Sequence, residues 1–321
     1  MKTILVSGAS GVVGYGILRS LRKSGKSLRL VGTTVYNDSV AQGFCDIFEQ
    51  APLTRDEGYL EWLSKIISTH QVDLIIPGIE ADMFRWIESV DELERGGSVK
   101  AMLNEPRLVL LCRDKWTFFE TLSHSGLPCV IETTLESNFD ALVSRFGLPF
   151  LLKPRIGFGS KGIVQVDSLA TFLEHRAHVG TVLMAQPILG TENEEFTTSA
   201  FCDGKGGFYA HMTLKRKLSS DGFTDRAEVV QVEDMAETVR ELCALFRPIG
   251  PTNFQFRRHQ GALKLLEINP RVSSATSIRT AFGYNECAMA VEYYLEGKTP
   301  QQPVIRAGRA VRYTEDLIFY S

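Results

Sequence analysis

A chain of 321 residues with 44% hydrophobic side chains is long enough to build two or three hydrophobic cores, so a multidomain globular protein is expected. The net charge of -3 arises from 35 basic and 38 acidic residues mixed along the chain, which argues against a nucleic-acid partner. The six cysteines are scattered without a Cys-x-x-Cys pair, and no apolar run is long enough for a signal peptide or a membrane span. These features predict a cytoplasmic protein with free thiols and no membrane partner.

The first hundred residues alternate between strand and helix patterns. A buried strand in TILVSGAS ends at a glycine turn, a helical pattern follows in VGYGILRSLRKSG, and LRLVGTTV is a second strand. A helix at YLEWLSKIISTH and a strand at VDLIIPG continue the series, and Glu80 follows that strand. The alternation predicts an α/β domain with a parallel sheet over residues 1–110.

The glycine turn GASGVVGYG in this region is a candidate nucleotide site. It follows a strand and opens a helix, which is the setting in which backbone amides approach a pyrophosphate. A nicotinamide-dependent oxidoreductase or epimerase is therefore an alternative, with Tyr294 and Lys298 as its catalytic pair. Two features argue against it, because the acid nearest the second strand is Asp38 and the Tyr/Lys pair lies close to the C terminus. The favoured interpretation is a tight turn that binds no dinucleotide.

The pattern changes beyond residue 110. Residues 111–183 contain short strands, a glycine-rich turn and a helix, which predicts a small α+β lobe. Residues 184–321 contain long alternating segments joined by Gly or His-Gln-Gly turns, with helical patterns at EDMAETVRELCALF and NECAMAVEYYLEG. This second lobe is expected to be built on an antiparallel sheet.

A lysine and a cluster of small residues in LLKPRIGFGSKG predict a phosphate-binding loop. Lys153 ends an apolar strand, and a lysine in that position can neutralise a phosphate while glycines let backbone N–H groups close over it. A flexible surface hairpin is the alternative, and no Walker A motif is present. The loop residues predicted to bind the nucleotide are Gly157, Gly159, Ser160 and Gly162.

Polar side chains mark the end of a predicted hairpin, NFQFRRHQGALKLLEINPR. Gln255 and Glu267 lie on neighbouring strands, and Asn269 points the same way as Glu267 because side chains alternate with a period of two. Carboxylate and amide oxygens suit Mg²⁺, which typically adds phosphate oxygens and water. Arg271 follows directly and suits a developing phosphoryl charge.

Five segments, in this order and spacing, resemble the ATP-grasp superfamily and most of all its carbamoyl-phosphate-synthase and biotin-carboxylase branch. The segments are RDKWTFFETLSHSGLP, LLKPRIGFGSKG, MAQPILGTENEEFT, NFQFR and LEINPR. The resemblance implies an ATP-grasp fold of two lobes, 111–183 and 184–321, with an antiparallel sheet. It also implies that residues 1–110 form a Rossmann-like pre-ATP-grasp domain.

The resemblance assigns nucleotide-binding roles to individual residues. Lys115 and Lys153 would contact the ATP phosphates, and the hinge strand with Gln186 and Ile188 would hold adenine through its backbone. Glu195 fits the acidic position near the nucleotide, with Glu192 and Glu194 as alternatives.

Metal and catalytic roles are implied in the same way. The residues are Gln255, Glu267 and Asn269 as ligands of two Mg²⁺ ions, with Mn²⁺ as a substitute, Arg271 for the transferred phosphoryl group, and Lys215 or Arg216 for phosphate or substrate.

The implied reaction is an ATP-dependent carboxylate–amine ligation through an acyl phosphate, with an amino acid or a sugar acid as substrate. One ATP-grasp unit without an amidotransferase segment disfavours carbamoyl phosphate synthesis, and the short segment after LEINPR disfavours biotin carboxylation. A nucleotide-binding regulator without turnover is a further alternative. Relatives are commonly homodimers. In the tail, one arginine, Arg309 or Arg312, either binds the substrate carboxylate or belongs to a strand that closes the sheet.

Overall fold

The first hundred residues form a parallel five-stranded sheet with the strand order β3-β2-β1-β4-β5, an order seen in doubly wound folds. The computed structural model describes residues 1–94, 97, 99–157 and 161–319. Ile4 and Val6 of β1 pack towards α1, whereas Leu5 packs towards α2, so both faces of the sheet are buried. The elements are β1 (Lys2–Val6), α1 (Val12–Arg22), β2 (Leu28–Thr34), β3 (Ile47–Gln50), α2 (Tyr59–His70), β4 (Leu74–Ile76), α3 (Glu80–Ile87), α4 (Val90–Leu93) and β5 (Lys100–Ala101).

Close backbone packing explains the glycines that follow β1. Gly8 has a φ of +56°, and a Cβ on Gly14 would lie 2.3 Å from the carbonyl oxygen of Gly8. A Cβ on Gly78 would lie 2.2 Å from the carbonyl oxygen of Ser7. Real Cβ atoms essentially never make contacts this short. Close backbone packing is therefore enough to explain why Gly14 and Gly78 are glycines.

We expect Gly14→Ala to destabilise the protein, because the new methyl group would overlap the backbone of the neighbouring turn. The loss should be at least about 1–3 kcal/mol, the usual cost of overpacking. Urea unfolding measures it, and Gly58→Ala is the matched control, since its φ is -77° and its Cβ would meet no atom within 4 Å. Equal stability of the two variants would contradict the packing explanation.

A three-stranded antiparallel sheet, in the order β7-β6-β8, forms the small lobe. Its core of Phe150, Leu152 and Phe172 is covered by two short helices. The strand that begins at Leu183 pairs with β6, so this sheet extends past the predicted boundary at residue 183. The elements are α5 (Pro106–Arg113), α6 (Lys115–Ser123), α7 (Phe139–Phe146), β6 (Phe150–Pro154), β7 (Val164–Val166), α8 (Leu169–His175) and β8 (Leu183–Pro187).

A six-stranded antiparallel sheet, in the order β13-β12-β9-β10-β11-β14, forms the large lobe, as the alternating segments predict. Phe201 of this sheet shares one hydrophobic core with Ile17 of α1, so the N-terminal unit packs directly on the large lobe. The elements are β9 (Glu195–Asp203), β10 (Phe208–Leu218), β11 (Thr224–Val229), α9 (Met235–Phe246), β12 (Ile249–His259), β13 (Ala262–Asn269), α10 (Thr276–Ala281), α11 (Glu286–Glu296) and β14 (Arg309–Val311).

Two local features of the β12–β13 hairpin set the positions of its side chains. Gln260 and Gly261 form a two-residue turn with φ values of 49° and 83°, which matches the primed turns that fix hairpin register. A register shift follows between Gln255 and Phe256, and Leu266 is the extra residue. Such a bulge re-aims side chains, and here Leu266 and Glu267 both face the same cleft.

All six cysteines are free thiols, as their spacing predicts. None of the helices formed by the described residues combines the length and the apolarity needed to cross a membrane.

Candidate active site

A cleft of about 620 Å³ lies between the small sheet and the β12–β13 hairpin, and the N-terminal unit contributes to its wall. This volume is in the range typical of small-molecule sites. Lys153 of β6, Glu267 of β13 and Glu80 of α3 all line it, so each of the three units of the fold contributes to one central cleft.

The small lobe supplies the cations of the central cleft. Asp114 caps α6 by accepting a hydrogen bond from the backbone N–H of Trp116 (2.9 Å), which places Lys115 at the first helical position. The Nζ of Lys115 donates to the carbonyl oxygen of Gly157 (2.5 Å). Lys153 projects from β6 into the same space, and burial lowers its pKa although Glu267 opposes the shift. Two lysines and the start of the glycine-rich loop are therefore grouped, as the sequence predicts.

The rest of that loop is only partly described. Gly157 lines the central cleft, and Gly162 has a φ of +75° with its Cα beside Pro154. The predicted contacts of Gly159 and Ser160 lie outside the described residues.

The predicted metal ligands are brought together by the hairpin register. Gln255 pairs directly with Glu267 across the two strands. The Nδ2 of Asn269 donates to Oε1 of Glu267 (2.9 Å), and Arg216 donates to Oε1 of Gln255. These bonds orient the oxygens of all three side chains within one patch of the central cleft.

Glu267, at the centre of this patch, is held in its negatively charged form by its neighbours. Burial favours the protonated carboxyl of Glu267, but Lys153 and the hydrogen bond from Asn269 outweigh it and hold the pKa of Glu267 below its usual value. A charged carboxylate flanked by amide oxygens fits Mg²⁺, which also takes phosphate oxygens and water. Among the described residues no group of three or more His, Cys, Asp or Glu side chains could hold a metal, so the amides and a bound phosphate would have to complete the shell.

Arg271 connects the patch to the N-terminal unit. Its Nη2 donates to Oε1 of Glu80 (2.7 Å) and to Oδ1 of Asn269 (3.3 Å), and its Nη1 donates to the carbonyl oxygen of Val272 (3.1 Å). The guanidinium is thus held in a fixed plane at the edge of the metal patch, that is, the three predicted metal ligands Gln255, Glu267 and Asn269.

Glu195, which was predicted to lie near the nucleotide, is buried and lines the central cleft. Oε1 accepts from Nε of Arg216 (3.0 Å), and Oε2 accepts from Nε and Nη2 of Arg257 (3.1 and 3.0 Å). Glu194 is exposed, and the side chain of Glu192 lies outside the described residues. Glu195 therefore serves at least to hold two arginines against the cleft.

The prediction for Lys215 is wrong in its placement. Arg216 is buried and lines the central cleft, whereas Lys215 is absent from the described lining. Successive strand residues point to opposite faces, so only one of the two can reach the cleft. The alternative that the sequence left open, Arg216, takes the position.

The connection after β8 offers unpaired backbone groups. Gln186 lines the central cleft and donates from Nε2 to the hydroxyl of Thr133 (2.7 Å), and Pro187 and Leu189 also line it. Ile188 is absent from the described lining, and within the described part of the chain its backbone N–H and C=O form no hydrogen bond. Its predicted role in holding adenine through the backbone stays a prediction.

Comparison with known proteins agrees with this geometry. Residues 181–317 match the family model described as ATP-grasp in the biosynthetic pathway with Ter operon. The carbamoyl phosphate synthase large chain of Thermotoga petrophila is 23% identical over 348 residues, which cover 93% of this chain and 31% of that protein. The chain therefore carries a match to an ATP-grasp family and is similar to carbamoyl phosphate synthase large chains.

Solved structures show a similar fold. N5-carboxyaminoimidazole synthetase from Staphylococcus aureus superposes with a TM-score of 0.73 at 19% identity, covering 95% of this chain and 80% of its own. The biotin carboxylase domain of Hydrogenobacter thermophilus 2-oxoglutarate carboxylase, a dimer in complex with MgADP, ADP and bicarbonate, gives 0.70 at 14% identity, covering 96% and 73%. The chain spans less than a third of the length of the carbamoyl phosphate synthase large chains that it matches, at 16% and 31%.

The oxidoreductase alternative finds no support in these comparisons or in the structure. The glycine turn is explained by packing, and the hydroxyl of Tyr294 is buried beside Gly250 of β12.

In the tail, Arg309–Val311 forms the edge strand β14, and Arg312 donates to the carbonyl oxygen of Thr224 (2.6 Å). Arg312 therefore ties the tail to the sheet through the backbone.

Sequence reasoning missed several polar residues that line the central cleft, among them Arg257, Asn253 and Ser273. Asn253 precedes Gln255 by two positions on β12, and Ser273 follows Arg271 by two. Their spacing was a usable signal for Asn253, since a period of two puts it on the same face of the strand as Gln255. No local pattern marks Ser273, which lies in a turn.

Proposed function

We propose that the chain is an ATP- and Mg²⁺-dependent ligase that joins a carboxylate to an amine through an acyl phosphate. The observation that carries the proposal is the central cleft itself, where Lys115 and Lys153 of the small lobe face Glu267, Asn269 and Arg271 of the large lobe. Cations opposite a metal patch are what a triphosphate requires. A two-lobed ATP-grasp division, which falls after β8 rather than at the predicted residue 183 because β8 pairs with β6, is part of the same proposal, with residues 1–110 as a pre-ATP-grasp domain.

The nucleotide would lie with its phosphates beneath the loop at 157–162 and its base at the connection after Gln186. Lys115 and Lys153 would neutralise phosphate oxygens, and Glu267 with its two amide neighbours would hold Mg²⁺. Bound Mg²⁺ supplies charge neutralisation for the transferred phosphoryl group. The count of two ions and the use of Mn²⁺ belong to this proposal.

Two balanced steps follow. A carboxylate oxygen attacks the γ-phosphorus, the bond from that phosphorus to the β–γ bridging oxygen breaks, and ADP leaves with the electron pair. An amine then attacks the acyl carbon, loses a proton and displaces phosphate, which gives an amide. Arg271 is placed to offset the charge that develops on the phosphoryl oxygens, because its guanidinium bonds to a side chain of the metal patch.

A regulator that binds ATP without turnover is the competing function. The charged residues that turnover needs are retained together, since Arg271 and Glu267 lie on either side of Asn269 and both line the central cleft. This grouping favours the ligase. A homodimer in the cytoplasm, with small-molecule acid and amine substrates, completes the proposal.

Hydroxylamine tests the proposal without knowledge of the amine, because it traps acyl phosphates as hydroxamates. Wild-type protein with Mg-ATP is incubated with single amino acids or sugar acids in the presence of hydroxylamine. We expect at least one acid to yield hydroxamate and ADP in equal amounts. Mg-ATP binding without hydroxamate from any acid would favour the regulator, and no Mg-ATP binding would refute both functions.

A further inference from the structure

We infer that Asn253 and Ser273 form the binding site for the carboxylate of the acid substrate, and that the buried Arg279 orients both. The inference rests on the proposed ligase function and assigns the acid's position within the same cleft. Three observations support it. The amide of Asn253 has a fixed orientation, the hydroxyl of Ser273 has both acceptor positions filled, and both side chains lie beside the metal patch.

The amide of Asn253 can take only one orientation. Its Oδ1 accepts hydrogen bonds from the hydroxyl of Thr197 (2.6 Å) and from Nη2 of Arg279 (3.1 Å). Both partners are donors here, so Oδ1 cannot exchange places with Nδ2. The Nδ2 group has no hydrogen-bond partner among the described residues although Asn253 is only 1% exposed. A buried donor left unpaired is costly, which indicates that a ligand completes it.

The hydroxyl of Ser273 is committed in the same way. Its oxygen accepts from Nη1 of Arg279 and from the backbone N–H of Ala275 (3.2 Å). With both acceptor positions filled, only the hydroxyl hydrogen remains, and it donates to no acceptor in the described part of the chain. Ser273 is 4% exposed and lines the central cleft. Asn253 and Ser273 thus each offer one donor.

Arg279 links these two residues from behind the cleft. It is fully buried on α10, and it contacts Asn253 and Ser273 through different nitrogens of one planar guanidinium. Oε1 of the equally buried Glu286 lies 4.0 Å from its Nη1, which compensates its charge. A planar cation fixed on two sides holds the donors at a constant separation.

The position of the two donors selects the ligand. Asn253 is the cross-strand partner of Asn269, and Ser273 lies two residues beyond Arg271, so both adjoin the place of phosphoryl transfer. The Nδ2 group of Asn253 cannot bind a metal ion, and neither can the Ser273 oxygen with both acceptor positions filled, whereas the two remaining donors can bind anionic oxygens. Lys115 and Lys153 lie on the opposite lobe for the nucleotide phosphates. The remaining anion of the reaction is the carboxylate that attacks the γ-phosphorus.

The test measures binding of three carboxylates, bicarbonate, acetate and glycine, to the Mg-ADP complex by isothermal titration. Asn253→Asp is the decisive variant, because it keeps the oxygen that Thr197 and Arg279 need and replaces the Nδ2 donor by a negatively charged acceptor. We expect it to weaken binding of the carboxylates at least tenfold, and Ser273→Ala to weaken it roughly tenfold. Ser277→Ala, on α10 outside the described lining of the cleft, is the matched control and should change neither carboxylate nor Mg-ADP binding.

Each outcome decides between explanations. Unchanged Mg-ADP affinity with weakened carboxylate binding supports the assignment. Carboxylate affinities equal to wild type in both variants would overturn it, and so would a wild-type Mg-ADP complex that binds none of the three acids. Failure of wild type to bind Mg-ADP would instead overturn the proposed function.

Arg279→Lys separates positioning from folding. Lysine keeps the charge beside Glu286 but cannot contact both donors from one plane. We expect Mg-ADP to bind as in wild type while the carboxylate affinity falls in parallel with Ser273→Ala. If Arg279→Lys does not fold, Asn253→Asp and Ser273→Ala still decide the question.

Discussion

Replacing Glu267 by glutamine is expected to abolish Mg²⁺-dependent nucleotide binding while the fold stays intact. Glutamine has nearly the same shape and can still accept the hydrogen bond that Asn269 donates at 2.9 Å. The substitution removes the one carboxylate among the three predicted metal ligands and the nearest counter-charge of Lys153. Wild type at a Mg-ADP concentration of 100 times its dissociation constant should gain about 2.7 kcal/mol of stability, and the variant should gain none.

Thermal unfolding with and without Mg-ADP measures this difference. The matched control is Glu228→Gln on β11, an exposed residue outside the described lining of the cleft, which should keep the full stabilisation. NAD(P)H should stabilise none of the three proteins. If Mg-ADP stabilises the Glu267→Gln variant as much as wild type, the assignment of the metal site to the β12–β13 hairpin is wrong.

The parts of this molecule that were predictable from the sequence rest on local patterns. Apolar alternation between short strands and helices dictates the N-terminal parallel sheet, since Ile4 and Leu5 must each be buried on opposite faces. The pairing of Gln255 with Glu267 was only partly predictable, because the two-residue turn at Gln260 sets the register only as far as Phe256 with Leu265. The bulge at Leu266 then brings Glu267 opposite Gln255.

The parts that were not predictable depend on contacts between distant segments. Whether Lys215 or Arg216 faces the cleft depends on strand parity, which the sequence does not fix for β10. The two arginines that hold Glu195 come from β10 and β12, and each is sequence-distant from it. Such pairings follow only from the sheet order, which places β9 between these two strands.

The orientation of Asn253 shows the same limit at the level of one side chain. Its partner Arg279 lies 26 residues further on, in a helix that packs against α1 of the N-terminal unit. The asparagine and the arginine meet only because α10 is brought against the face of the large sheet on which the Asn253 side chain lies. A role that depends on which end of an amide faces the ligand is thus decided by tertiary structure.

Replacing Arg271 by lysine is expected to stop turnover while nucleotide binding persists. The guanidinium bonds to Glu80, to Asn269 and to the carbonyl oxygen of Val272, so three partners fix its plane. Lysine keeps the charge but lacks this fork, and it cannot reach all three partners at once. Arginines that stabilise phosphoryl transfer contribute about 10³–10⁵ in kcat, so a loss of at least about 10³-fold is expected.

Hydroxamate formation from the acid found with wild type measures turnover, and titration with Mg-ADP measures binding. Arg226→Lys is the matched control, because Arg226 lies on β11 with 68% of its side chain exposed and should leave both quantities unchanged. Arg271 adjoins the metal patch and does not belong to the small lobe that supplies the two lysines. Its replacement should therefore lower kcat without changing the affinity for Mg-ADP. A variant with wild-type kcat would show that charge alone suffices at this position, and a variant that fails to bind Mg-ADP would assign Arg271 to the nucleotide instead of the transferred group.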